Sequence, residues 1–337
     1  MINSPLFFIV GYERSGTTLL AAMLDRHSRI AIPPETHFFE HVCRVEDARK
    51  CANTETLVDR FINAPRSRDL KLNKSELLNQ LAGSESTWAN LLAAALQLYM
   101  VKHGKERVGE KTPNHHLIVP EILNLFPGSR VIWVLRDGRD VILSLMKTPW
   151  PRHRLLRLHA FEWRRSMEKM IEFEKRFPER MIRMKFENLV TDPEAELRRV
   201  CEFIGVDFET RQLDSNVHTD VVPEWELSWK HRVFSPPDLT RIGTWKHECT
   251  REDQWMLNSV MQPCLSKLDY SVDHAMDDCP LSVQFKNNAA NVFCRYRPSW
   301  YRSWSQRFFS KTSPGQNVWK IFCKTEYNSA MEKTENH

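Results

Sequence analysis

The chain has 337 residues, 42% of them hydrophobic, enough to bury the core of one α/β domain and carry an extension. No run approaches the ~18 apolar residues of a membrane span. The N-terminus has no basic stretch ahead of an apolar one, so neither an anchor nor a signal peptide is expected and the cytoplasm is the expected location. The net charge of +5 is uneven, because residues 281–337 hold nine Lys or Arg against three Asp or Glu. The rest is slightly negative, which excludes a generic nucleic-acid binder.

In chain order, Leu6-Phe7-Phe8-Ile9-Val10 is an all-apolar run that predicts a buried parallel strand. A glycine-bounded turn, Gly11 to Gly16, then feeds a helix over 17–27. Strand, tight loop and helix N-terminus together make an anion cradle, with backbone N–H groups and the positive end of the helix dipole facing the ligand. The Gly-x4-Gly spacing matches the phosphate loop of nucleotide kinases, but Thr17 stands where their lysine would be. The cation sits inside the loop instead, as Arg14. This departure argues against a kinase.

A short strand is expected near Arg29–Ile32, and residues 40–102 read as a mostly helical insertion. Val108 to Pro113 reads as the lead-in to a helix near His116–Phe126, which Pro127-Gly128 stops. Val131–Leu135 is a second buried strand, followed by a helix over 137–146 and an amphipathic helix over 155–177. A strand at Met181–Lys185 and a helix at Pro193–Ile204 come next. Residues 205–248 are irregular, and a last helix spans 252–267. Strands alternating with helices predict an α/β fold, a parallel sheet flanked by helices on both faces. Ligands of such sheets bind at the carboxyl ends of the strands, where Gly11, Arg136 and Phe186 fall. The expected organisation is a domain over 1–270, carrying the 40–102 insertion, and a basic, aromatic-rich extension over 271–337. Eight scattered cysteines without a C-x-x-C pair are expected as free thiols.

Arg14-Ser15-Gly16-Thr17-Thr18 resembles the phosphosulfate loop of sulfotransferases that use 3′-phosphoadenosine 5′-phosphosulfate (PAPS), most closely the tyrosylprotein sulfotransferases and related bacterial enzymes. Met23-Leu24-Asp25-Arg26-His27 resembles the helix after that loop. Pro34-Glu35-Thr36 resembles the segment of the catalytic carboxylate. Val131 to Arg139 with Ser144 resembles the 3′-phosphate site, and Lys185 to Leu189 with Asp192-Pro193 a later cofactor-lining segment. The resemblance runs in order from about Pro5 to Tyr270. It implies a P-loop NTPase-like fold and transfer of a sulfuryl group from PAPS to an acceptor hydroxyl of a sugar, a small-molecule alcohol or a tyrosine.

On that resemblance Glu35 is the general base, for which burial is expected to raise the pKa towards working pH. Arg14 and Lys111 stabilise charge on the transferring group and its leaving phosphate. Ser15, Gly16, Thr17 and Thr18 complete the cofactor loop, Arg136 and Ser144 hold the 3′-phosphate, and Phe186 lines the adenine side. Glu110 is a candidate ion-pair partner of Lys111, and Arg241 and Lys246 candidates to close over the cofactor. Arg139 reads as structural. No metal is expected, because arginine and lysine supply the positive charge. The family pattern Gly-Glu-Glu-Thr-Arg becomes Pro-Pro-Glu-Thr-His here, so His37 replaces an arginine that contacts peptide acceptors and offers a second base. Nucleic acid is not an expected partner, no transmembrane segment is expected, and the sequence allows a homodimer without requiring one. The competing readings are a nucleotide-dependent kinase and a nucleotide-binding module without catalysis.

Overall fold

The computed structural model describes residues 6–148 and 156–272. Five parallel strands form one sheet in the order β2-β3-β1-β4-β5. They are β1 (Phe7–Gly11), β2 (Ile30–Ala31), β3 (Arg107–Lys111), β4 (Arg130–Leu135) and β5 (Met181–Lys185). The registers Ile9↔Lys111, Gly11↔Val134 and Leu135↔Lys185 bring the strand ends level with one another.

The helices are α1 (Thr17–Asp25), α2 (Thr54–Asn63), α3 (Lys74–Leu81), α4 (Trp88–Lys102), α5 (Val119–Leu125), α6 (Gly138–Met146), α7 (Leu156–Arg176), α8 (Phe186–Thr191), α9 (Pro193–Ile204), α10 (Leu227–Lys230), α11 (Trp245–Glu248) and α12 (Arg251–Leu265). Local chemistry sets several of these boundaries. Asn53 and Thr87 accept from the first turns of α2 and α4. Asp192 does the same for α9, with Pro193 at its first position and Gly205 ending it at φ 78°.

The described residues form two compact units, one within residues 6–137 and 166–242, the other within 138–148, 156–165 and 243–272. The first holds the sheet. Alternate strand residues serve opposite faces. Phe7, Ile9, Ile132, Val134 and Met184 pack with Leu20 and Leu24 of α1 and Leu197, Val200 and Ile204 of α9. On the other face the Phe8 ring meets Phe126, just past α5, at 5.4 Å between centroids.

In the second unit Asp140 of α6 accepts from the backbone N–H groups of Gly243 and Trp245 and from the Thr244 hydroxyl, at 2.7–2.9 Å. Arg139 donates to Asn258 and to the Ser271 carbonyl and lies 3.8 Å from the Trp245 ring centroid, the structural role expected of it. All but the first two residues of the expected 271–337 extension lie outside the described residues.

The sequence reading missed β3. Three of its five residues are Arg107, Glu110 and Lys111, so it lacks the apolar run that announces β1 and β4. It is nevertheless buried from Val108 to Lys111, held between β2 and β1.

Candidate active site

Because all five strands are parallel, their carboxyl ends share one edge of the sheet. Each strand of this chain hands over to a candidate residue there. β1 leads to the turn with Arg14, β2 to Glu35, β3 ends on Lys111, β4 leads to Arg136 and β5 to Phe186.

The turn after β1 closes with Ser15 N–H donating to the Tyr12 carbonyl at 3.1 Å. Arg14 (φ 69°) and Gly16 (φ 99°) both adopt left-handed backbone conformations. Alternation of this kind curls backbone N–H groups around a concavity, the geometry of an anion nest. Gly16 caps α1 without a side chain, so no side-chain acceptor from the cap occupies the helix N-terminus. A Cβ on Gly16 would fall 2.4 Å from the Phe186 ring. Phe186 is thus packed beneath the loop, and its ring also carries the Arg136 guanidinium at 4.4 Å from the centroid.

Arg136 donates to the Arg14 carbonyl at 3.2 Å and to the Arg241 carbonyl at 2.7 Å. Three arginines therefore gather at the turn. Burial and the neighbouring Arg241 charge both push the Arg14 pKa below its ordinary value. Like charges crowded into a partly buried turn repel, and an anion would relieve them. Ser144 is buried on α6, in the second unit.

Glu35 is the hub of a second cluster of charged groups. It is only 7% exposed. Its Oε1 accepts from Lys111 Nζ at 2.5 Å and from Lys230 Nζ at 2.7 Å, and its Oε2 pairs with His37 Nε2 at 2.9 Å. Burial does press its pKa upward, as expected, but Lys111, Lys230 and His37 outweigh burial and hold it well below the ordinary value. The expectation of a raised pKa is therefore corrected. His37 is corrected too. Burial opposes its charge, but its bonds to Glu35 and Glu40 raise its pKa to about 9. At neutral pH it is an imidazolium that braces Glu35, not a second base.

Lys111 is fully buried and lies between the two halves of the site, 3.3 Å from Thr18 Oγ1 on the loop helix and bonded to Glu35. Burial lowers its pKa to about 8, against the pull of Glu35. Its partner is Glu35, not Glu110. Glu110 instead accepts from Thr36 (2.8 Å) and Thr112 (2.6 Å) and pairs with His115 (3.0 Å). Its pKa stays below the usual value despite complete burial, because His115 and the two hydroxyls favour the carboxylate.

Sequence reasoning missed Lys230, which sits on α10 in the segment read as irregular. Lys230 also pairs with Glu226 at 2.7 Å, and Glu226 pairs with Arg66 of the helical insertion at 2.7 Å. The insertion and the 205–248 segment thus meet beside Glu35. The Trp-x3-Trp spacing of Trp225 and Trp229, each followed by a charged residue, Glu226 and Lys230, was the available signal, being one helical turn. Lys246 lies 5.7 Å from the Trp245 ring centroid, within the second unit.

Residues 5–210 match the family model described as the sulfotransferase family. The chain belongs to that family. It is an enzyme, a PAPS-dependent sulfotransferase. It is 24% identical over 298 residues to a putative protein-tyrosine sulfotransferase of Caenorhabditis briggsae, covering 84% of this chain and 96% of the relative. It is 25% identical over 284 residues to protein-tyrosine sulfotransferase A of Caenorhabditis elegans, covering 80% and 68%. In fold it is similar to the sulfotransferase domain of the Synechococcus PCC 7002 olefin synthase, with a TM-score of 0.58 and 22% identity over 80% of this chain and 95% of that one. Among the described residues no helix is long and apolar enough to cross a membrane. The five described cysteines are free thiols.

Proposed function

We propose that this sulfotransferase moves the sulfuryl group of PAPS to an acceptor hydroxyl by in-line displacement, with Glu35 taking the hydroxyl proton. The observation that carries this reading is the position of Lys111, whose Nζ reaches both Thr18 of the loop and Glu35. One ammonium joins the cofactor end to the acceptor end.

The cofactor supplies an activated S–O bond whose leaving group is a phosphate. The residues fit it. The Ser15–Thr18 backbone and hydroxyls with Arg14 would cradle the 5′-phosphosulfate, and the Lys111 ammonium would stabilise the charge that grows on its sulfonate oxygens. Arg136, stacked on Phe186, would hold the 3′-phosphate through its guanidinium, and Ser144 is the second contact that the resemblance assigns. Glu35 is already ionised at working pH and needs no prior deprotonation to act as a base. Its weak basicity suits a loose displacement, in which the acceptor hydroxyl becomes acidic as its oxygen bonds to sulfur. The charges of Arg and Lys meet the electrostatic demand without a metal.

The acceptor screen begins with tyrosyl hydroxyls, since the similar proteins are named protein-tyrosine sulfotransferases. Sugar and small-molecule alcohols follow, because His37 departs from the arginine of the resembling family. The test is calorimetric titration of 3′-phosphoadenosine 5′-phosphate against ADP, repeated on Arg136→Ala. Binding confined to the 3′-phosphorylated nucleotide and lost in the variant supports the reading. Equal binding of both, or a preference for ADP with Mg²⁺, overturns it in favour of a kinase. With an acceptor in hand, Glu35→Gln is expected to lower kcat by about 10²–10⁴.

A further inference from the structure

The turn after Glu35 carries a second constellation that sulfuryl transfer does not require. Residues 38–42 form a single π-helical turn, entered through His37 in a left-handed conformation at φ 44°. π turns and strained non-glycine residues concentrate at functional sites. This turn brings His37, Glu40 and His41 together, with one ligand-capable atom from each lying within 4.8 Å of the other two. The two imidazole rings are 5.5 Å apart between centroids. Glu40 and His41 are solvent-accessible, so an ion could enter and keep an open coordination position.

The two ring nitrogens of His37 face different groups. Nδ1 faces Glu40 at 2.9 Å, and Nε2 faces Glu35 at 2.9 Å. A histidine that binds a metal through one nitrogen ordinarily donates its other N–H to a carboxylate, which fixes the ring. Here that outer carboxylate is already in place. Two imidazoles and a carboxylate suit zinc and its late first-row neighbours rather than Mg²⁺ or Ca²⁺, which prefer all-oxygen sites.

We propose that His37, Glu40 and His41 bind a divalent transition metal of the zinc class, the metal displacing the proton that His37 Nδ1 shares with Glu40 while Nε2–H stays on Glu35 as the outer carboxylate. Binding sits beside the transfer chemistry rather than within it. Its effect on catalysis rests on the assignment of Glu35 as base: a bound dication behind His37 further restrains Glu35, so the metal slows transfer.

The probe is Zn²⁺ alone, titrated calorimetrically into the full chain without PAPS or acceptor, so the outcome is independent of whether Glu35 is the base. One equivalent is expected. His41→Ala and the isosteric Glu40→Gln should each weaken binding about tenfold or more, since loss of even an outer-shell partner commonly costs 10–100-fold. Co²⁺ in the same site should show d–d absorption without a thiolate charge-transfer band. Unchanged affinity in both variants, a thiolate band, or no binding by the wild-type chain overturns the site. Zn²⁺ that binds here but leaves transfer unaffected overturns the link to Glu35 alone.

Discussion

Lys230 Nζ and Glu35 Oε1 meet at 2.7 Å across 195 residues of sequence, on the same oxygen that Lys111 already holds. Two ammonium groups on one buried oxygen leave Oε2 to His37 and fix the plane of the carboxylate. They also hold Glu35 ionised, since each favours the charged form. Lys230→Met removes one of the two and leaves Glu226 to Arg66. We expect kcat to fall about tenfold, a fraction of the 10²–10⁴ that a general base contributes, because Lys111 remains. The affinity for 3′-phosphoadenosine 5′-phosphate should stay unchanged, as Lys230 belongs to the acceptor side. An equal loss in nucleotide affinity would place Lys230 with the cofactor instead.

Lys111 gives the site an alkaline limit. Its pKa, lowered by burial to about 8, means that its charge is lost as pH rises through that value. Transfer that depends on this ammonium should therefore decline above about pH 8 in kcat/KM for PAPS. Lys111→Arg keeps its charge to far higher pH and should move the alkaline limb outward, whatever its absolute rate. The stability effect has the opposite sign. Between about 8 and the ordinary lysine value of 10.5 the unfolded chain binds more protons at this site than the folded one. The Lys111 contribution to stability therefore rises with pH across that window. Parallel pH profiles of turnover and of urea unfolding separate the two.

The sheet was largely legible because its central strands announce themselves. Val131–Leu135 is an uninterrupted apolar run that can only be buried, and Met181–Lys185 and Pro193–Ile204 emerged with the expected bounds. β3 was illegible for a reason tied to function. A strand that delivers Glu110 and Lys111 to the sheet edge must spend its interior positions on charge, and so loses the hydrophobic signature of a strand. Arg14 and Arg136 were readable as candidates from the turns that follow the apolar strands β1 and β4, whereas Glu35 and Lys111 were candidates on the family resemblance. The electrostatics of Glu35 were not. Burial is visible in a sequence, but the cations that offset it come from β3, α10 and the π turn, and only folding brings them to one carboxylate.

Gly16 is required for two separable reasons, its φ of 99° and the 2.4 Å approach a Cβ would make to Phe186. Gly16→Ala should weaken binding of 3′-phosphoadenosine 5′-phosphate by about tenfold to a hundredfold, matching the 1–3 kcal/mol of a side chain forced into that conformation. Phe186→Ala in the same chain removes the clash but not the backbone strain, and also removes the ring beneath Arg136. The double variant should therefore recover no nucleotide affinity. Recovery would show that the steric contact alone sets the requirement.

Glu110 is linked to the segment around Glu35 through two threonine hydroxyls. Fully buried, it accepts from the hydroxyls of Thr36 and Thr112, and Thr112 in turn accepts from the His37 backbone N–H at 3.2 Å. Glu35 is thus flanked by Pro34 on one side and, on the other, by two residues tied back to β3. Glu110→Ala strands two hydroxyls and the His115 imidazole in a buried pocket, which should destabilise the chain by about 2–4 kcal/mol in urea unfolding. A positioning role predicts something more. At a temperature where the variant remains folded, kcat should drop while nucleotide affinity holds, because the anion loop is anchored on β1 and not on this network. Glu110→Gln keeps an oxygen acceptor for both threonines, so it should restore most of the stability and much of kcat. If Glu110→Ala lowers stability alone and leaves kcat of the folded fraction intact, the network supports the fold without orienting Glu35.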